Sequence, residues 1–267
     1  MLTFVINLDD SKDRFDVISK RLDKLGISYE RMSAVNGRAL TEEEVESLTY
    51  PHDHFETKVR FTRMLTRGEI GCFLSHRKCW QRLLESDEKF AAVMEDDIEI
   101  SPHAQEFLTA DRWIPENVDL IQMGGGNRVV NARVMSEELK INDCFKLYRP
   151  TTPALGTLCY IISKRAARAA LDMSKKLPAP VDNFMFTRWF DLARLFPVWQ
   201  IAPLIVIQSD RFESIIGERS KRAVQKAPFF IRHGITRFLM DREIKKFTKS
   251  GTPYVFEFAD DCVEKRK

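Results

Sequence analysis

The apolar run Phe90-Ala91-Ala92-Val93-Met94 closes on three adjacent carboxylates, Glu95-Asp96-Asp97. A run of that length reads as a buried strand, and open α/β sheets present their ligand sites at the carboxyl ends of such strands. Three neighbouring anions repel one another and add little to packing. A hard divalent cation would relieve the repulsion, because Mg²⁺ and Mn²⁺ prefer carboxylate oxygens and commonly bridge them to substrate phosphates. On these residues alone a solvated acidic turn is the competing account.

The flanking sequence supplies the sheet that such a strand needs. Residues 3–7 read as a strand; Ser11 stands as an N-cap before Phe15, Ile18, Leu22 and Leu25 at helical spacing, and Gly26 is a stop. An extended stretch, Ile27–Val35, breaks at Asn36-Gly37. Thr41 with Glu44 predicts a capping box opening a short helix, and Thr66 with Glu69 predicts another opening a longer one. Beyond the strand at 90–95 the pattern predicts a helix near 103–110, strands at Val118–Met123 and Leu155–Ile162, a helix over 164–173 capped by Ser163, and a strand at Leu204–Ile207. Strands alternating with helices over about 210 residues argue for an α/β sheet.

Composition narrows the class. In 267 residues, 44% hydrophobic and 30% charged, one sizeable core can form. No segment approaches the roughly eighteen apolar residues that span a bilayer. The first seven residues read as a strand and lack the features of a signal peptide. Five cysteines, an odd number without a paired framework, fit a reducing compartment and a cytoplasmic address. Charge is uneven: between Glu218 and Lys249 ten Lys/Arg face three acidic residues, whereas the whole chain carries +3. The remainder is therefore mildly acidic. Phenylalanines 229, 230 and 238 interleave with those bases, so residues 216–267 are expected to form a basic, amphipathic, helical segment appended to a domain of residues 1–215. Such a segment suits an anionic membrane surface or acceptor; a docked terminal helix with a solvated cationic face is the plainer account. No nucleic-acid motif is present, and none is expected as a partner.

The helix opened by Thr66 carries Gly68, Gly71, Cys72 and Ser75-His76. Two glycines in a first turn cost roughly 1 kcal/mol each relative to alanine. Close approach of a ligand to the backbone would account for them, since a helix N-terminus is a ready anion site. His76 shares its helical arc with Cys72, Cys79, Trp80 and Leu83, an arrangement more common for a hydrogen-bonded core histidine than for a ligand. Cys72-x₃-His76-x₂-Cys79 offers only three ligands, too few for a structural zinc site, and zinc is not expected.

Taken in order, Val5-Ile6-Asn7-Leu8-Asp9 with Arg14, Ala34-Val35-Asn36-Gly37, Leu65-Thr66-x-Gly68-Glu69-x-Gly71-Cys72-x-Leu74-Ser75-His76-x-x-x-Trp80, and Glu95-Asp96-Asp97 resemble glycosyltransferase family 25. These are the bacterial lipooligosaccharide glycosyltransferases, related to collagen galactosyltransferase domains. The likeness spans roughly residues 3–210. It implies a GT-A type fold, a Rossmann-like mixed sheet flanked by helices, and an inverting transfer from a UDP-sugar, usually UDP-galactose, with Mn²⁺ or Mg²⁺. It also implies a lipooligosaccharide core acceptor at the inner face of the cytoplasmic membrane. Carried onto this chain, Asp97 would be the direct metal ligand, with Asp96 or Glu95 touching ribose or metal. Asn7, Asp9, Arg14, Ala34 and Asn36 would surround uracil and ribose. Gly68, Glu69, Ser75 and His76 would line the donor pocket, joined by Thr157 unless that is simply a strand residue.

An inverting displacement also needs a base opposite the leaving group. Asp182, after Pro180-Val181, is the candidate, with an N-cap as the alternative. A further metal ligand would be Gln208, which matches the family's residue type, or Asp210, the harder donor. Strand-end carboxylates also serve phosphoryl- and nucleotidyl-transfer enzymes, although no Walker glycine-lysine loop is present. A non-catalytic sugar-binding module is the remaining class.

Overall fold

A computed structural model describes residues 1–50, 65–152, 155–211 and 242–260. The chain begins with β1 (Leu2–Asn7), α1 (Lys12–Lys24) and β2 (Glu30–Ser33), followed by a single 3₁₀ turn, Gly37–Ala39, and α2 (Glu42–Leu48). Next come α3 (Arg67–Leu84) and β3 (Phe90–Glu95). Both predicted capping boxes are present, Thr41 with Glu44 on α2 and Thr66 with Glu69 on α3. Ser11 does stand at the N-cap of α1, but its side chain makes no capping hydrogen bond.

β1 pairs in parallel with both β2 and β3, with Asn7 opposite Ser33 and Ile6 opposite Glu95. The carboxyl ends of three strands therefore meet at one place. Beyond them lie β4 (Ile98–Ile100), α4 (Ala104–Leu108), β5 (Leu120–Gln122), β6 (Gly124–Gly125), β7 (Val129–Lys140), β8 (Lys146–Pro150) and β9 (Cys159–Ser163). The remaining elements are α5 (Lys164–Met173), α6 (Val181–Phe186), α7 (Asp191–Leu195), β10 (Val198–Ala202), β11 (Val206–Gln208), a helix over 242–250, and β12 (Thr252–Glu257). Nine strands form one mixed sheet in the order β12-β7-β8-β10-β5-β9-β3-β1-β2, and β4-β11-β6 form a small second sheet.

Alternation along the central strands divides the core between the two faces of the sheet. Phe4, Ile6, Val93, Tyr160 and Ile162 pack with Phe73, Trp80, Leu83 and the alanines of α5. Val5, Ala92, Met94 and Ile161 pack on the other face with Ile18 and Leu22 of α1 and Phe107 of α4. The sheet is thus flanked by helices on both sides, as expected for this α/β class.

Two expectations need correction. The strand predicted from Leu155 begins only at Cys159, because Gly156 takes a positive φ of 107° and Leu155 is exposed. Residues 216–267 are also not a purely helical appendage. Residues 216–241 and 261–267 lie outside the described residues, but β12 is an edge strand of the main sheet, paired antiparallel to β7 from Thr252↔Val134 to Glu257↔Val129. Phe256 is buried with Val134, Ala202, Leu204 and Ile207. The basic run ahead of it disguised a short period-2 pattern, Tyr254 and Phe256 inward, Val255 outward.

The glycines of α3 have a packing cause at position 71. A Cβ there would lie 2.5 Å from Val35 O and 2.6 Å from Gly37 N, because the 34–37 turn rests directly on the helix. Those contacts are with backbone, which has no rotamer to yield. Gly71→Ala should therefore destabilise the protein by about 1–3 kcal/mol in urea unfolding, despite alanine's better helix propensity of about 1 kcal/mol. Gly126→Ala, where nothing lies within 4 Å, should leave the midpoint within about 0.5 kcal/mol. Equal effects at both positions would contradict this packing account.

Candidate active site

The three carboxylates after β3 each meet a different environment. Asp96 is the most fully engaged: Asn7 Nδ2 donates to its Oδ2 at 2.6 Å and Arg14 Nη1 to its Oδ1 at 3.3 Å. Asn7 ends β1 and Arg14 lies in the first turn of α1, so this contact ties the crossover to the acidic strand end. Burial nonetheless raises the Asp96 carboxyl, with repulsion from Glu95 adding to it; Asn7 and Arg14 offset only part.

Glu95 faces the α3 side. Thr157 Oγ1 donates to its Oε1 at 2.5 Å, and His76 Nε2 lies 3.8 Å from the same oxygen. Burial alone would raise the Glu95 carboxyl, but the His76 ring and the Thr157 hydroxyl outweigh it and hold it below its ordinary value. His76 is fully buried, with Nδ1 2.9 Å from the Tyr160 hydroxyl, whose oxygen also accepts the Trp80 indole N–H at 2.9 Å. The ring is therefore fixed in place by core aromatics, while its Nε2 has no hydrogen-bond partner among the described residues. The sequence expectation of a hydrogen-bonded core histidine describes one of its two nitrogens.

Asp97 is the unbalanced member. Its Oδ1 is buried without a hydrogen-bond partner among the described residues, and Arg14 stands 3.6 Å from its Oδ2. Burial, with Glu95 and Asp96 beside it, pushes the Asp97 carboxyl up to about 6. An oxygen left without a donor in a cluster of anions suits a hard cation. The residues present thus fit a Mg²⁺ or Mn²⁺ ion at Asp97. Ser209 N–H donates to the Asp97 carbonyl at 2.8 Å, and Gln208 pairs with Ile98 across β4 and β11. Gln208 and Asp210 therefore flank the acidic strand end, and both are exposed.

The other predicted positions fall into two groups. Asp9 is exposed at the end of β1, where Arg31 Nη2 and Ser33 Oγ donate to its two oxygens at 2.7 and 2.8 Å; these bonds lower its carboxyl. Arg31 also donates to Asn7 Oδ1 through Nε and Nη2. Arg31 was not singled out in the sequence. Nothing local marked it, because its partners Asp9 and Asn7 lie 22 and 24 residues away in the chain. Ala34 N–H donates to Asn7 O, and Asn36 caps the 3₁₀ turn by accepting from Arg38 N–H. An open cleft of about 440 Å³ is lined by Asp10–Arg14, at the start of α1.

Ser75 and Glu69 are held by structure. Ser75 Oγ accepts the Val35 N–H and donates to Gly71 O, which locks the 34–37 turn to α3. Glu69 Oε2 accepts the Thr66 N–H within the capping box. Gly68 lies half-buried in the first turn. Asp182 is not the N-cap of α6; Pro180 is, and Asp182 lies in the first turn. Its Oδ2 accepts the Gly156 N–H at 3.2 Å and its Oδ1 the Asn183 N–H at 2.7 Å. Asp182 therefore stands against the same 156–157 segment that holds Glu95. The Cys72 thiol, also half-exposed, is raised by burial and then by Glu95, Asp182, Glu69 and Asp97, so these carboxylates act on one shared region.

A sequence model described as glycosyltransferase family 25 (LPS biosynthesis protein) matches residues 1–185. The chain is 30% identical over 169 residues to the lacto-N-neotetraose biosynthesis glycosyltransferase LgtE of Neisseria gonorrhoeae, covering 58% of each chain. It is 32% identical over 191 residues to the procollagen galactosyltransferase 2 of Homo sapiens, covering 68% of this chain and 29% of that one. A glycosyltransferase 25 family member of Anopheles gambiae is 28% identical over 226 residues, covering 76% of this chain and 36% of that one. The matched region thus spans less than two thirds of each relative.

The Asp97 environment has a stability signature. Its folded value of about 6 lies above the ordinary 3.8, so the fold favours the protonated acid. Ionisation then weakens the fold as pH rises from about 4 to 6, and the loss persists above that. The shift corresponds to a few kcal/mol. Asp97→Asn should raise the urea midpoint at pH 8, and the gain should vanish near pH 4. An equal change at both pH values would contradict this.

Proposed function

Because the chain belongs to glycosyltransferase family 25, we propose that it is a metal-dependent, inverting galactosyltransferase of GT-A type. In this reading it moves galactose from UDP-galactose to the core of a lipooligosaccharide. The observation that carries the proposal is Asp97: a buried carboxylate with an unpartnered oxygen, at the joint carboxyl ends of β1, β2 and β3. Of two relatives, the procollagen galactosyltransferase supports the choice of sugar and the lacto-N-neotetraose biosynthesis enzyme that of an oligosaccharide acceptor.

Asp97 would hold Mn²⁺, with Asp96 beside it and Gln208 or Asp210 completing the protein ligands. When bound, the ion would supply Lewis-acid stabilisation of the UDP leaving group. The chain's own residues do the rest. Asn7 and Arg14 orient Asp96; Arg31 and Ser33 orient Asp9 at the neighbouring strand ends, where uracil and ribose would lie with Ala34 and Asn36. Gly68 at the start of α3 would border the sugar side, with Thr157 and the fully buried His76 acting from behind it through Glu95. Asp182, fixed by the Gly156 and Asn183 N–H groups, would take the proton of the acceptor hydroxyl as the new bond forms.

Release of UDP from a panel of UDP-sugars, with truncated lipooligosaccharide as acceptor, tests the proposal. Acceptor-stimulated release from UDP-galactose that EDTA abolishes and Mn²⁺ restores is the expected result; no release from any UDP-sugar would overturn it. Asp182→Asn can keep the Asn183 N–H bond through Oδ1 but loses the acceptor for Gly156 N–H and removes the base, so kcat should fall by about 10²–10⁴, while the unfolding free energy drops by no more than about 1–3 kcal/mol. Near-normal turnover would remove Asp182 from this role.

The basic segment would hold the enzyme on the anionic cytoplasmic face of the membrane, each Lys/Arg contributing roughly 1 kcal/mol. The helix over 242–250 exposes Lys245, Lys246 and Lys249. Replacing these three by Gln, which leaves β12 in place, should weaken sedimentation with phosphatidylglycerol vesicles at low salt. Unchanged binding would dismiss this surface.

A further inference from the structure

We propose that Cys72, His76 and Glu95 form a binding site for a soft divalent cation of the zinc type, separate from the hard-cation position at Asp97. The sequence motif alone pointed to Cys79 as the third thiol or imidazole neighbour, and three such ligands on one helix were too few. In the fold Cys79 is fully buried, and the third donor comes from the sheet. Cys72 and His76 are four residues apart on α3, one turn along the same face, the spacing at which two side chains can chelate one ion. One ligand atom each from Cys72, His76 and Glu95 lie within 4.8 Å of one another.

The second observation is the imidazole. His76 Nε2 is buried, has no hydrogen-bond partner, and faces Glu95 Oε1 at 3.8 Å. An unpaired buried polar atom costs about 1–3 kcal/mol. A cation between the two atoms removes that cost. Tetrahedral zinc bonds of about 2.0–2.3 Å set neighbouring donors roughly 3.3–3.7 Å apart, so His76 and Glu95 already stand close to the needed separation. The Cys72 sulfur completes the trio within the same 4.8 Å, on a side chain that is partly buried.

The surrounding groups match what metal-bound ligands require. The Tyr160 oxygen, 2.9 Å from Nδ1, can accept the ring proton that must sit on Nδ1 when Nε2 binds a cation. Thr157 holds the Glu95 carboxylate in orientation. Such supporting hydrogen bonds are regular companions of ligating histidines and carboxylates. The field is strongly negative, since Glu95, Asp182, Glu69 and Asp97 all act on Cys72. On binding, the S–H bond gives up its proton to solvent as the sulfur–metal bond forms, with no change of oxidation state. Thiolate, imidazole and a single carboxylate oxygen select Zn²⁺, Co²⁺ or Cd²⁺ over Mg²⁺ and Mn²⁺. Three protein donors leave a fourth position for water or another ligand.

Titration of the full chain with Co²⁺ under reducing conditions tests the site. One ion per chain should bind with a thiolate-to-cobalt charge-transfer band, displaced by Zn²⁺. The band should disappear in Cys72→Ser and persist in Cys144→Ser, which removes an exposed thiol, and in Asp97→Asn. The wild-type protein gives a check free of folding effects: binding of Co²⁺ should release about one proton per ion as the Cys72 S–H ionises, read with an indicator dye. Absence of the band, its survival in Cys72→Ser, or metal binding without proton release would overturn the proposal. None of these readouts depends on sugar transfer, so the two proposals stand or fall separately.

Discussion

Three carboxylates crowded at the end of one buried strand impose the central constraint on this molecule. At 4 Å two like charges repel by about 4 kcal/mol at an effective dielectric near 20, and burial adds the cost of lost hydration. The fold answers with partners drawn from separate elements. Arg14 of α1 and Asn7 of β1 hold Asp96, while Thr157 ahead of β9 and His76 of α3 face Glu95. Among the described residues, Asp97 is the one of the three with a buried oxygen that nothing donates to. That imbalance is local, and it is what the proposed cation at Asp97 would relieve.

Holding those partners in register is the work of the layers on either side. β1 lies between β2 and β3 with parallel registers, so their ends coincide within a residue. On one face the 34–37 turn rests on α3 backbone to backbone, with Ser75 bridging Val35 N–H and Gly71 O. On the same helix, one turn further, His76 is braced by Tyr160 and Trp80 from the core. The candidate site is thereby carried by strands and helices, whereas Asp9, Gln208 and Asp210 beside it are exposed.

Much of this was legible from local patterns. The capping boxes at Thr41 and Thr66, the Ser163 cap and the buried central strands follow from side-chain chemistry within a few residues. The outer ribbon was not legible. β7 runs twelve residues with mostly exposed or half-buried positions, so it lacks a clean inward-outward alternation. β12 is short and follows a basic run. Edge strands with two partly solvated faces carry little periodic signal, and their pairing comes from neighbours far along the chain.

By itself the sequence determined the pieces whose causes are local: an acidic triplet closing an apolar strand, the helix starts, and the i, i+4 placement of Cys72 and His76. Tertiary structure alone decided how those pieces meet. Asn7 and Asp96 are 89 residues apart, His76 and Tyr160 are 84 apart, and Gly156 and Asp182 are 26 apart. No local pattern encodes that Arg31 binds Asp9, that Glu95 completes a trio with Cys72 and His76, or that Asp97 keeps an empty-handed oxygen. Each depends on strand register and on which helix face the sheet covers. Those are set by burying the whole core at once, because hydrophobic burial is non-directional and the polar contacts are selected from the arrangements it permits.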